Sequence, residues 1–447
     1  MTPLALHPEN PHYFLFRGKP TILVTSAEHY GSVVNLDFDY KAYLKTLKAV
    51  GLNHTRVLTG IYHELPGSFN IEGDTMAPGP QRFACPWMRS SVPGAADGGN
   101  RFDLNSWNED YFHRLKEFCR EAGAQGIVVE VCLFCPFYID AFGRNLWEIC
   151  PLHPKNNINN TPDAGKEVYS FQYPQLLRYL EKMIEKIVIE LNSFDNIYYE
   201  ICNEPYFDDI TNEWQMRIAD VISKTEESLP FRHLISQNVS NGYETIENPS
   251  SLISIFNFHY APGDAVRVNY GLNRVIGCNE TGFCGTGDFA YRSQAWEFIL
   301  SGGALFNNLD YSFAVGYENG AFAYGPGQPG GGGISLRKQY GVLRDFIYSF
   351  DFIRMKPDDS VIKRLFMTNG TAYVLSEPGK AYAVYIKGYS GVELDMDIPE
   401  GRYTAEWVDT RTGEINRSET VRHPGGRMRL ASPDFKEDIS LRVRRID

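Results

Sequence analysis

No stretch of this chain approaches the roughly 20 consecutive apolar residues of a membrane-crossing helix, which excludes a helical membrane span. Positive charge is short as well. The 43 Lys and Arg stand against 55 Asp and Glu, a formal net charge of −12. That balance argues against a nucleic-acid or anionic-membrane partner, because neither polyanion attracts an acidic surface. The opening residues MTPLALHPENPHYF lack the basic-then-apolar order of a secretory leader. No Gly-rich phosphate turn follows the first barrel-like strand, which counts against an open dinucleotide-binding sheet. Histidine is sparse, and only His29 and His259 fall at strand ends, leaving a metal-dependent hydrolase short of ligands.

Cysteine is present but unpaired in pattern. Several of the eight lie in or beside apolar runs (EVCLFC, YEICNE, VIGCNE), where a thiol packs as a small hydrophobe. Free thiols imply a reducing compartment, hence a cytoplasmic rather than a secreted protein. Cys132-x-x-Cys135 with Cys150-x-x-His153 resembles a zinc spacing. Against it, Cys132 continues the strand IVVEVC, and residues three apart on a strand point to opposite faces. The expectation is packed thiols, with no metal and no cofactor.

What is there is a large chain of ordinary globular composition, with 43% hydrophobic and 22% charged residues. At 447 residues it exceeds one ordinary core, so a large unit plus a small one is expected. Strand-like and helix-like segments alternate from residue 20 to about 345. DYKAYLKTLKAVG, NEDYFHRLKEFCREAG and EWQMRIADVISKTEESL read as helices. LNHTRVLTG, GIVVEVCLF, IYYEICNEP, HLISQN, SLISIFNFHY, NRVIGCNETG and ALFNNLDYSF read as strands. This alternation is the parallel-sheet signature, and about eight units imply a closed (β/α)8 TIM barrel over residues 1–350. Beyond about 354 the period changes to 2, in TAYVLSE, KAYAVYIKG, VELDMDI, YTAEWVD and ISLRVRR. Short strands separated by Gly, Pro and Asp turns predict a small all-β sandwich over 351–447, accessory in role.

The stretch IYYEICNEPYF organises the rest. A β-rich run stops abruptly at Asn203-Glu204-Pro205, which places a carboxylate at the C-terminal mouth of a barrel strand. An ion pair with a basic residue is the rival reading. Glu280, preceded by Asn279 at the end of RVIGCNE, sits at a matching strand end, with a solvated surface charge as its rival. Strand ends converge on one face of a barrel, so the two carboxylates can meet in space. Paired carboxylates are the machinery of glycoside hydrolysis, one protonating the leaving oxygen while the other attacks the anomeric carbon.

NEP on the fourth strand with a Glu ending the seventh resembles glycoside hydrolase clan A, which includes the cellulase-like family five enzymes. Arg56 in GLNHTRV resembles the clan's second-strand arginine, and His259-Tyr260 in NFHYAP its sixth-strand His and Tyr. AEWVDTRTGE is similar to the accessory β-domain of cellulase-like proteins. The resemblance implies a retaining β-glycosidase acting on an oligo- or polysaccharide through a glycosyl-enzyme intermediate. Glu204 would be the acid/base and Glu280 the nucleophile, their carboxyls about 5 Å apart. Arg56 and Tyr260 would hold Glu280 ionised, and Asn203 would bind the sugar 2-hydroxyl. His259 would line the sugar site. This chain departs from the clan in placing His and Tyr side by side, and in having LFNNLDYSF where many members carry a platform Trp. Asn308, Asp310, Tyr311 or a loop tryptophan such as Trp147 or Trp87 then takes that place. Glu28-His29-Tyr30, ending the first barrel strand, is a further candidate sugar contact. A non-catalytic carbohydrate-binding protein on a degenerate barrel is the alternative.

Overall fold

The computed structural model describes residues 2–139, 142, 145–367, 370–389 and 391–447. Its central sheet has eight parallel strands: β1 (Leu23–Ala27), β2 (His54–Leu58), β3 (Val128–Phe134), β4 (Ile197–Cys202), β5 (Ile235–Asn241), β6 (Ile255–His259), β7 (Val275–Glu280) and β8 (Leu305–Leu309). Seven neighbouring pairs form ladders in the order β1-β8-β7-β6-β5-β4-β3-β2. The remaining seam is closed by the Asn53 side chain. Its Oδ1 accepts from the Val24 amide at 2.9 Å and its Nδ2 donates to the Ile22 carbonyl at 2.8 Å. The expected barrel is present.

Seven helices wrap the strands among the described residues: α1 (Tyr40–Ala49), α2 (Glu109–Ala124), α3 (Pro174–Leu191), α4 (Asn212–Glu227), α5 (Asp264–Asn269), α6 (Asp288–Leu300) and α7 (Ile334–Tyr348). Most bury one stripe, whereas α6, held between the barrel and the C-terminal sheets, is buried nearly all round. In α3 the stripe is Leu176, Leu180, Met183, Ile184, Ile187, Val188 and Leu191, the i, i+4, i+7 spacing of an amphipathic helix. Caps are explicit: Asp39 accepts from the amides of Lys41 and Ala42 at the start of α1. Alternation is not strict. The chain between β5 and β6, NGYETIENPSS, carries no helix, as its Gly, Asn and Pro content would dictate. The segment 61–104, which shows no periodicity in the sequence, carries a hairpin in which Trp87–Pro93 pairs antiparallel with Asn100–Trp107.

Barrel interiors are usually filled by branched apolar layers. This one is polar. Arg56 lies between Glu130 and Glu200, with its Nε 3.4 Å from Glu130 and its Nη2 bonded to Glu200. Asn279 Nδ2 donates to both carboxylates, and Asn257 Nδ2 donates to Glu200 at 2.8 Å. All five side chains are buried. Gly277 makes room for this layer: a Cβ there would meet Asn257 Oδ1 at 2.3 Å. Burial pushes the Glu200 carboxyl up to about 7, the attraction of Arg56 only partly countering it while Glu130 adds to it. Free Glu titrates near 4.3, so from about pH 4.3 to 7 the folded chain keeps a proton that the unfolded chain releases. The stability held at low pH is therefore lost as pH rises to about 7. Melting temperature should fall across that window, and Glu200→Gln, which cannot titrate, should flatten the fall. An unchanged slope in the variant would sink the assignment.

Below the barrel, strands Ala5–Leu6, Phe14–Phe16 and Lys19–Thr21 form a small antiparallel sheet. It is tied there by Arg17, which donates to Asp195 just ahead of β4 at 2.7 and 2.8 Å. Beyond α7 the chain is all β. A six-stranded antiparallel sheet faces a three-stranded one, with Val374, Val384, Leu394, Met396, Trp407 and Leu441 buried in the shared core. These are the expected C-terminal β-sheets. They meet the barrel at α6, where buried Arg292 donates to Asp438 at 2.9 Å through two nitrogens and Trp296 stacks on Tyr385. Among the described residues no helix is long and apolar enough to cross a membrane.

Candidate active site

β4, β6 and β7 end together. Glu204 follows β4, His259 ends β6 and Glu280 ends β7, and one ligating atom from each lies within 4.8 Å of the others. His259 Nδ1 is 3.1 Å from Glu204 Oε1 and 3.5 Å from Glu280 Oε1. The three line the base of a cavity of about 440 Å³ or sit directly beneath it, His259 being fully buried. That volume is within the range of small-molecule sites, roughly 300–1,000 Å³.

Glu280 is gripped from both sides. Oε2 accepts from the Tyr30 hydroxyl at 2.9 Å and from Arg56 Nη1 at 3.3 Å, and Oε1 accepts from the Tyr260 hydroxyl at 2.8 Å. Burial works against its charge, but His259, Arg56, Tyr260 and His29 outweigh it and hold the carboxyl below its usual range. Tyr260 is a secure donor, because burial and the Glu280 charge push its phenol far up. His259 is likewise opposed by burial, yet the Glu280 and Glu204 carboxylates leave its pKa raised.

Glu204 faces a different set. Oε2 accepts from the Tyr138 hydroxyl at 2.8 Å, and Oε1 from Tyr206 at 3.3 Å. Asn203 is spanned by protein groups, with Oδ1 accepting from Arg56 Nη2 at 2.8 Å and Nδ2 donating to Tyr138 at 2.9 Å. Arg56 thus links the interior carboxylates, Asn203 and Glu280, so it is both an ion-pair member and a neighbour of the cavity.

The aiming device is backbone conformation. Tyr30 (φ 60°), Phe69 (53°), Tyr138 (50°), Glu204 (36°), Tyr260 (52°) and Phe283 (52°) all line the cavity, and all are left-handed without being glycine. Such residues cost of order 1–3 kcal/mol each and gather at functional sites. The conformation explains how adjacent His259 and Tyr260 both reach Glu280. Successive strand residues point to opposite faces, and the left-handed turn at Tyr260 swings its ring back.

Five expected sugar contacts lie elsewhere. Glu28 is fully buried and accepts from the amides of Gly31 and Ser32 at 2.9 and 3.0 Å, and from the hydroxyls of Ser32 and Thr75. It shapes the turn instead. Trp147 is buried, donating to Asp163 at 2.7 Å and packing on Phe137 and His153; Trp87 is buried against Trp107. Asn308 is buried, donating to Ser26 and to the Leu309 carbonyl, while Asp310 pairs with Arg337 at 2.6 Å. His29 does line the cavity. The aromatic walls are Tyr62, Phe69, Tyr138, Phe142, Phe207 and Phe283 rather than tryptophan.

Cys132, Cys135, Cys150 and His153 do not converge. Cys132 contacts Arg56 and Glu200, and Cys135 contacts Tyr138 and Asn203. Among the described residues the His, Cys, Asp and Glu groups close enough to share an ion are Glu204–His259–Glu280 and His29–Glu64–Asp74.

No family model matches the chain, and no curated protein matches it. Solved structures do. A protein described as a glycoside hydrolase superposes with a TM-score of 0.65 over 99% of this chain and 97% of its own, at 13% identity. A putative glycoside hydrolase from Bacteroides vulgatus gives 0.65 over 100% and 82%, at 13% identity. A glycoside hydrolase family 5 protein from the same organism gives 0.64 over 99% and 93%, at 14% identity. At these identities the likeness is one of fold, taking in the eight-stranded barrel and the C-terminal sheets together.

Proposed function

We propose that the protein is a retaining glycosidase that cleaves β-glycosidic bonds by double displacement. The observation that carries this reading is the closeness of Glu204 and Glu280, whose carboxylates present oxygens within 4.8 Å of each other. Retaining enzymes hold their carboxyls about 5–5.5 Å apart, whereas inverting ones need about 6.5–9.5 Å to admit a water. Likeness to glycoside hydrolases in fold supports the same class.

In this reading Glu280 attacks the anomeric carbon while the bond to the leaving oxygen breaks, and Glu204 delivers the proton that oxygen takes up. A glycosyl ester on Glu280 results. Water then enters on the vacated side, gives its proton to Glu204 and displaces Glu280. The unequal surroundings of the two carboxyls fit unequal roles. Glu280 has a guanidinium and two phenols stabilising its charge. Glu204 has two phenols, and Tyr206, Phe207 and Asn241 beside it where a leaving group would lie. His259 between them holds the separation.

The test is proton NMR of the first sugar released from an aryl β-glycoside, before mutarotation. The β-anomer is expected; the α-anomer would overturn retention. A protein that binds saccharides without turning any over would be the non-catalytic alternative.

A further inference from the structure

One polar group of the cavity takes no part in that mechanism. Glu64, His29 and Asp74 lie on the Tyr30 side, with Glu64 and His29 lining the cavity. Glu64 is 3% exposed. Its Oε1 accepts from Tyr62 at 2.9 Å and faces His29 Nε2 at 3.5 Å. Asp74 Oδ1 accepts from the Met76 amide at 2.8 Å and faces His29 Nδ1 at 3.6 Å. Glu64 and Asp74 share a side-chain hydrogen bond, one carboxyl holding the proton between them, while buried His29 Nδ1 has no hydrogen-bond partner. Buried polar atoms are nearly always paired, so an unpartnered ring nitrogen beside a proton-sharing carboxyl pair at a cavity wall marks a place built for something else.

The cluster is held ready. The Glu64 amide donates to the Met76 carbonyl at 2.8 Å, and Thr75 between Asp74 and Met76 bonds to Glu28. Gly31 admits the Thr75 backbone: a Cβ at 31 would lie 2.1 Å from its oxygen. Burial and the neighbouring Asp74 push the Glu64 carboxyl well up, so it can hold a proton beside the Asp74 carboxyl. A mixed donor and acceptor set of this kind matches hydroxyl groups, each of which both gives and accepts a hydrogen bond. Its position favours the ring bonded to Glu280, since His29 and Glu64 line the same cavity as Glu280 and His29 helps to hold the Glu280 carboxyl low.

We propose that Glu64 and His29, backed by Asp74, are the specificity-determining pole of the cavity and take two neighbouring hydroxyls of the sugar ring held over Glu280. This rests on the glycosidase reading. It makes the substrate a sugar whose hydroxyl pair meets the pole, with discrimination by those hydroxyls rather than by ring stacking alone. A site built to hydrogen-bond a hydroxyl strongly rejects the analogue lacking it.

The experiment uses 4-nitrophenyl β-glycosides of glucose, mannose, galactose and xylose, then the available 3-, 4- and 6-monodeoxy forms of the best one. Wild type and Glu64→Gln are compared, with Asp74→Asn as a second variant and thermal melts to confirm folding. One deoxy position, or an adjacent pair, should lower wild-type kcat/KM by ~10²-fold or more, and that penalty should shrink to a few-fold in Glu64→Gln. A merely structural role would depress all substrates alike. Equal penalties in both enzymes would overturn the proposal while leaving the glycosidase intact. Were wild type to turn over no glycoside, the glycosidase reading would fail separately, and the parent sugars would be titrated by saturation-transfer NMR. Binding lost in Glu64→Gln would support the pole, and binding equal in both or absent in wild type would overturn it.

Discussion

Glu280→Ala should lower turnover of an activated aryl glycoside on the order of 10⁵-fold, the scale on which removing a nucleophile acts, and azide should restore part of it. The substitution leaves a space bounded by Tyr30, Tyr260 and Arg56. A small anion can enter there and attack the anomeric carbon in place of the carboxylate. With no second displacement to follow, the product is a glycosyl azide of inverted configuration. Glu204→Ala should differ in kind. Its first step still forms the ester on Glu280, slowly for a poor leaving group and nearly normally for dinitrophenolate, which needs no proton. Azide then attacks that ester and gives a product of retained configuration. The contrast separates the two roles even if both variants are equally slow. Inverted azide from Glu204→Ala and retained azide from Glu280→Ala would show the assignments to be reversed.

Glu204 and Glu280 were legible in the sequence because each ends a β-rich run, and polar residues seldom terminate such runs without a task. Arg56 was legible for the same reason, a charge inside a strand. Its partners Glu130 and Glu200 were as exposed to view, in VVEVC and YYEIC. Nothing in the pattern marks them, because a barrel interior is ordinarily apolar. The loop residues resisted reading for a conformational reason. Glu28, His29 and Tyr30 are consecutive, yet Glu28 folds back on the Gly31–Ser32 turn, His29 faces Glu64 and Asp74, and Tyr30 reaches Glu280. A left-handed residue at Tyr30 sends the three apart, and no periodicity encodes that. Tyr138, which touches both Asn203 and Glu204, is hidden likewise. Trp147 and Trp87 misled by residue type: a large ring in a loop suits a sugar face, but it also fills the loop's own core. The change of period near 354 was the plainest signal in the chain, and alternation survives most clearly in Gly401–Val408, while central strands such as Ala381–Lys387 are buried on both faces.

Arg56→Met should be the most destabilising single change at the site, by about 3–5 kcal/mol, the range for breaking a buried ion pair from one side. The guanidinium is fully buried and answers three carboxylates, Glu130, Glu200 and Glu280, together with Asn203. Methionine keeps much of the volume and none of the charge, so those carboxylates must take up protons or remain unpaired in a low dielectric. Urea unfolding followed by fluorescence reads the loss. Arg56→Lys separates charge from shape. Lysine restores a cation, and with it part of the stability, but a single ammonium cannot reach Glu200, Asn203 and Glu280 as the planar fork does. Activity should therefore stay low in Arg56→Lys while the fold recovers. The interior network predicts a further, non-additive result. Above pH 7, where the wild type ionises Glu200, Arg56→Met must bury that charge unpaired or force Glu200 to take up a proton, so adding Glu200→Gln should regain part of the lost stability even though Glu200→Gln alone is costly or neutral. Simple additivity of the two changes would mean that Arg56 acts on Glu280 alone and that the polar barrel interior is packing, not electrostatic support for the site.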